Sequence, residues 1–205
     1  MKLKLTRALL GAAMPLAGVN AAEAHIVAAR LGDFYAGAAH PLTDLQDIVL
    51  WIAIGVLAGT LGAAKGRWLI PVFPLGLLVG LPLGNVFGAT SSQLADAGMM
   101  LAIGMLLAAA VQVPALLLCA IAFAVAVMRG AANGADLAPE TDRLLFAAGL
   151  VCAGYAVITL TMALTAMFKR TSSDSATSWR SIAVRALGGW IAAIGLMMGS
   201  LALAS

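Results

Sequence analysis

From residue 44 onward the chain is a succession of apolar runs, each about as long as a bilayer-crossing helix, separated by short segments that hold most of its charge. No water-soluble globule can be built from such a pattern. With 62% hydrophobic and 10% charged residues and a mean hydropathy of +1.02, too little polar surface exists to cover a folded body in water. Six candidate spans follow from hydropathy and breakers: Asp44–Ala64, Trp68–Phe87, Gln93–Val111, Pro114–Met128, Leu144–Phe168 and Ser181–Ala204. The expectation is an all-α, polytopic transmembrane bundle of about six helices. The third and fourth runs are joined only by Gln112-Val113, so they form a tight hairpin or one re-entrant pair. The fourth is short unless it continues past Arg129.

The N-terminus follows a different rule. Lys2, Lys4 and Arg7 precede the short apolar core Ala8–Val19, and Ala22-Glu23-Ala24 has the small-x-small form of a cleavage site. Residues 1–24 are therefore read as a signal peptide and 25–205 as a single transmembrane domain; a retained signal anchor is the alternative. Cleavage would remove three of the twelve Lys and Arg and one of the nine Asp and Glu, leaving a formal charge of +1. The basic balance thus gives no reason to expect a nucleic-acid partner; the expected partner is the lipid bilayer. Lys65, Arg67, Lys169, Arg170, Arg180 and Arg185 fall between the first two or around the last two spans, which places those loops in the cytoplasm. Six crossings then leave both mature termini in the periplasm, in a multi-pass inner (cytoplasmic) membrane protein. The outer side collects Asp33, Asp44, Asp47, Asp96, Asp136, Glu140 and Asp142.

Of these acids, Asp44, Asp47 and Asp96 lie at or inside span ends, where an ionisable group is costly and usually meets a partner or a water-filled cavity. If a helix starts at Pro41, then His40, Asp44 and Asp47 share one face, extended by Trp51, Gly55, Ala58 and Gly62. Such a face is read as pointing into the bundle, with His40 and two carboxylates at its outer mouth. The same residues also suit a plain helix N-terminus capped by acids and paired to Arg129.

His40-Pro41-Leu42-Thr43-Asp44-Leu45-Gln46-Asp47 resembles the His-Pro-x-x-Gly-x-Asp-His element that opens the first mature span of the HupE/UreJ family. The preceding Gly32-Asp33-Phe34-Tyr35-Ala36-Gly37 is similar to that family's Gly-aromatic stretch. Trp68-Leu69-Ile70-Pro71 resembles its second helix, Asp96 stands where it places an acid opening the third, and Arg129-Gly130-Ala131-Ala132-Asn133-Gly134-Ala135-Asp136 resembles its His-Gly-x-Ala-His-Gly-x-Glu element. The resemblance implies a nickel or cobalt permease tied to hydrogenase and urease maturation. It also implies metal contact at His40, Asp44, Asp47, Asp96, Asn133 and Asp136. Here Asp44, Gln46 and Asp47 replace the Gly, Asp and His of the first element, and Arg129 and Asn133 replace both histidines of the second. A guanidinium is no metal ligand and repels a divalent cation unless an acid such as Asp47 or Asp136 pairs with it.

The remaining donors are oxygen-rich with one or two imidazoles, suited to loose, exchangeable binding of a divalent ion and to no permanently bound cofactor. His25, exposed as the mature N-terminus, would add an amino group and an imidazole as a further metal contact. No phosphate-binding loop, zinc-hydrolase or nucleophile-elbow motif is present, so no enzyme is expected. Two functions fit: a permease whose outer vestibule gathers a divalent metal ion, or a non-transporting accessory or scaffold subunit for metalloenzyme maturation. Polar groups at mid-depth are few, chiefly Tyr155, Thr159, Thr161 and Thr165. Gly76, Gly80 and Gly84 form a small-residue ridge for close packing of the second span.

Overall fold

The structure, a computed structural model, describes residues 32–88, 92–135, 137–170 and 178–204. The expected signal peptide, its cleavage site, His25 and Asp136 lie outside the described residues. Within them the chain forms α1 (Asp33–Thr43), α2 (Leu45–Leu61), the single turn α3 (Ala63–Gly66), α4 (Leu69–Phe87), α5 (Gln93–Ala108), α6 (Ala115–Ala135), α7 (Arg143–Arg170) and α8 (Trp179–Ala204).

Local chemistry sets most of these limits. Asp44 caps α2 by accepting from the Gln46 N–H at 2.8 Å, Ser92 caps α5 through the Ala95 N–H at 3.1 Å, and Asp142 accepts from the Leu144 and Leu145 N–H groups. The end of α4 is a left-handed Gly88 at φ 60°, whose N–H closes on the Gly84 carbonyl. Four helices are long and apolar enough to cross a bilayer: Ala63–Phe87 taken with its lead-in turn, α6, α7 and α8. The pair α1–α2 makes a fifth if counted as one broken span, and α5 is apolar but only 16 residues long. At about 1.5 Å per residue α5 extends about 24 Å, short of a hydrocarbon core of about 30 Å.

One expectation is corrected here, that a helix starting at Pro41 carries His40, Asp44 and Asp47 on one face: residues 33–43 form a helix of their own and meet α2 at a bend of 79°. Pro41 sits in the last turn of α1 rather than the first turn of α2, and Asp44 is extended at φ −82°, ψ 114°. His40 therefore does not share a continuous helix face with Asp44 and Asp47. The fourth span continues past Arg129, the alternative left open for its length, and runs to Ala135 with Arg129 and Asn133 inside the helix.

Packing is by close backbone approach. α4 lies along α6, α5 along α8, and α7 receives both α1 and α2. At the α4–α6 seam a Cβ on Gly84 would strike the Ala131 carbonyl, and one on Gly134 would strike the Leu81 carbonyl. The ridge read from the sequence is thus the contact surface. The centre holds Trp51, Phe73, Leu77, Met100, Ile103, Leu118 and Ile158, all almost fully buried. Because the helices alternate in direction, one end of the bundle gathers α1, Asp44, Asp96, Arg129 and the α6–α7 loop, and the other gathers Lys65, Lys169 and Arg185.

Candidate functional site

Three helices bring one guanidinium and three carboxylates together at the acidic end. Arg129, in the penultimate turn of α6, has a side chain only 3% exposed. Its Nε donates to Asp47 Oδ1 in a very short contact, its Nη2 donates to Asp44 Oδ2 at 2.9 Å, and its Nη1 stands 3.0 Å from Asp96 Oδ1. The Gln46 amide oxygen is 3.5 Å from Nη1. Asn133, one turn further along α6, donates from Nδ2 to Asp47 Oδ2 at 2.9 Å and to the Arg129 carbonyl at 2.7 Å.

Each member owes its place to its helix. Asp44 is the N-cap of α2 and Asp47 lies in that helix's first turn, where the helix dipole favours negative charge. Asp96 holds the same position in α5. Both first turns face the late turns of α6, so two acid-bearing helix starts meet a basic residue from a third strand of chain. Asp47 and Asp96 are buried, while the Asp44 side chain is 36% exposed and forms the side of the cluster nearest solvent.

The accounting of donors is incomplete in an informative way. Among the described residues, Asp96 Oδ1 has electrostatic contact with Arg129 but no aligned hydrogen-bond donor, and Asn133 Oδ1 and the Trp51 indole N–H have no hydrogen-bond partner. Trp51 sits one turn below Asp47, with its ring edge-on to Phe73 at 5.4 Å. Counted over the described residues, three carboxylates against one guanidinium leave a formal excess of two negative charges, with Asp47 and Asp96 buried and Asp44 partly exposed. Beside the cluster a cavity of about 430 Å³ is lined by Asp44, Leu45, Gln46, Val49, Met100, Ile194 and Met198.

Of the residues singled out in the sequence, Asp44, Asp47, Asp96 and Asn133 converge here. His40 is on α1, with its ring 6.2 Å from that of Phe146 on α7. Among the described residues no group of three or more His, Cys, Asp or Glu is arranged to hold a metal ion, because the acids are turned onto Arg129. Gln46 and the unpartnered Trp51 N–H join the site without having been singled out as site members. The sequence had placed Trp51 on the face of Asp44 and Asp47, and Gln46 within the first family element. The mid-depth hydroxyls do not form a polar lane. Thr159 and Thr161 donate to the Tyr155 and Val157 carbonyls of their own helix, and Tyr155 is exposed on the outer face of α7.

The family described as HupE / UreJ protein matches residues 12–198, most of the chain. The chain belongs to the HupE/UreJ family. No curated protein and no solved structure matches it. HupE/UreJ members are transport or accessory proteins rather than catalysts, and the present chain is a multi-pass membrane member of that class. In this chain the acidic end of the bundle is already occupied by an internal cation, Arg129.

Proposed function

We propose that this chain is a permease-like inner-membrane protein that takes up a divalent transition-metal ion, nickel or cobalt by family resemblance, from the periplasmic side. The observation that carries the reading is the residual charge: among the described residues a formal excess of two negative charges, with Asp47 and Asp96 buried and Asp44 partly exposed, beside a cavity with one wall made by Asp44 and Gln46. Such an excess is costly in a low-dielectric bundle and is balanced by one divalent cation. Asp44 is the first contact, Asp47 and Asp96 are the deeper carboxylates, and Asn133 steadies Asp47. Arg129 holds the acids apart between visits and yields part of their coordination when the ion arrives. Exchangeable binding of this kind, rather than a permanent site, suits a transported ion.

In the complete topology the bent pair α1–α2 and the short α5 each count as one crossing, giving six, with both mature termini and the acid cluster outside. His40 stands on α1 at the bend, next to Asp44.

A second reading is a non-transporting accessory subunit, and the observation favouring it is that Arg129 contacts all three acids and ties α2, α5 and α6 together. Uptake separates the two. Proteoliposomes holding the purified mature protein are to be assayed with labelled nickel, cobalt, zinc and copper beside empty vesicles and the His40→Ala and Asp47→Asn variants. The permease reading expects saturable uptake of one metal, abolished in Asp47→Asn. Uptake equal to that of empty vesicles, from protein shown to be folded, refutes it in favour of the accessory role.

A further inference from the structure

The end of the bundle away from the acid cluster has its own cavity, independent of the proposed metal pathway. It measures about 270 Å³ and lies where the ends of α2, α5 and α7 meet the start of α8, with Thr60, Gln112, Lys169, Ser181 and Arg185 as its polar lining. Both cations are anchored by backbone carbonyls: Lys169 Nζ by Thr60 at 3.4 Å and Arg185 Nε by Ala108 at 2.9 Å. Those bonds fix the side chains at the cavity while using only one donor of Lys169's three and one of Arg185's five. Ser181 adds a hydroxyl from the first turn of α8, a 26-residue helix whose N-terminal dipole favours an anion.

Among the described residues the charge around the cavity is of one sign; Asp174, in the segment between α7 and α8, lies outside the described residues. Lys65, Arg67, Lys169, Arg170, Arg180 and Arg185 gather at this end, whereas every Asp and Glu among the described residues belongs to the other end. The carbonyl ends of α2 and α5 offset part of that charge and leave the balance positive. Apolar surface continues directly from the pocket: Leu106, Val111 and Val184 line it, and Ile182 and Leu187 beside it are exposed on the bundle's outer face. Arg67 and Arg180 lie over the rings of Trp68 and of Phe168 and Trp179, pairings suited to the headgroup level of a bilayer.

We propose that this cavity binds a phosphate-bearing anion, held between Lys169, Arg185 and the Ser181 hydroxyl, and that an anionic phospholipid supplies it by laying its acyl chains on the adjoining apolar face. Basic pockets between membrane helices recognise anionic headgroups by this combination of fixed cations and an apolar flank. The ligand holds the start of α8 against α5 and α7, adding to the cation–carbonyl bonds of Lys169 and Arg185 at this end.

The test uses the full mature protein in detergent. Phosphatidylglycerol, phosphatidylcholine and inorganic phosphate are titrated separately, with thermal unfolding and native mass spectrometry as readouts. Phosphatidylglycerol is expected to raise the unfolding temperature and to be retained in the gas phase, with phosphatidylcholine giving neither effect. Each of Lys169→Gln and Arg185→Gln should weaken the phosphatidylglycerol affinity about fivefold. The charge-keeping pair Lys169→Arg and Arg185→Lys keeps most of the affinity and covers the case in which the neutral double variant does not fold. Stabilisation by inorganic phosphate with the same dependence on Lys169 and Arg185 identifies a soluble phosphate as the source. Equal retention of both lipids, or a phosphatidylglycerol affinity unchanged in Lys169→Gln and Arg185→Gln, overturns the proposal.

Discussion

Replacing Arg129 by Met keeps most of the side-chain volume and removes its charge. The Asp47 and Asp96 side chains are 0% and 2% exposed, so both would be left as buried carboxylates without their cation. Asp44, at 36% exposed, retains access to solvent and contributes little to the difference. Loss of one partner from a buried ion pair costs about 3–5 kcal/mol, most of it the penalty of the charge left behind. Arg129→Met should therefore lower stability by about that amount, measured by reversible unfolding in mixed micelles. If uncompensated charge is the cause, adding Asp47→Asn and Asp96→Asn to Arg129→Met should bring stability back to within about 1–2 kcal/mol of the parent, a coupling far from additive. An Arg129→Met cost under about 1 kcal/mol, or no recovery on neutralising the two acids, would refute the assignment of Arg129 as the counter-ion of this cluster.

Other outcomes follow from the same geometry. Asn133→Leu, which removes the amide donor to Asp47, should cost about 1–3 kcal/mol in the same unfolding assay. Gly84→Val should be worse tolerated than Gly98→Val, because a side chain at 84 meets the α6 backbone while 98 faces open space; about 1–3 kcal/mol of overpacking is expected at 84 as a minimum. For the proposed topology, a cysteine introduced at Glu140 should react with a membrane-impermeant thiol reagent added outside, and one at Lys65 should not. The reverse pattern would invert the orientation.

Much of this arrangement is readable from residue order alone, and the failures have identifiable causes. The membrane class, the long apolar helices and the separation of acids from bases follow from hydropathy and charge, which act locally. The glycine ridge at 76, 80 and 84 is legible because helical spacing alone puts the three on one face. Pairing between Arg129 and Asp47 was foreseeable as the alternative to an isolated buried guanidinium. The bend at Asp44 was not, since an N-capping Asp and an Asp within a helix's first turn look alike, and Pro41 fits the last turn of α1 as well as the first turn of α2. The length of α6 was left open between Met128 and a continuation past Arg129. Arg129 and Asn133 are accommodated inside the bundle by acids from α2 and α5, partners 82 and 33 residues away that no window average contains. Polar groups at mid-depth were read as few, and Thr159 and Thr161 bond to carbonyls of their own helix, which sequence spacing alone does not show.

The pairing of α5 with α8 also bears on how the protein is made. A ribosome delivers α5 to the membrane some seventy residues before α8 starts, and α5 is the shortest of the apolar helices. Its Gly104 and the Gly188 and Gly195 of α8 are spaces that only the other helix fills. Until the last segment arrives, α5 has neither the length to sit securely across the bilayer nor the partner its surface is shaped for. Asp96, in the first turn of α5, finds Arg129 only once α6 is present. The C-terminal helix therefore completes the packing of α5, supplying the surface against which its small residues close.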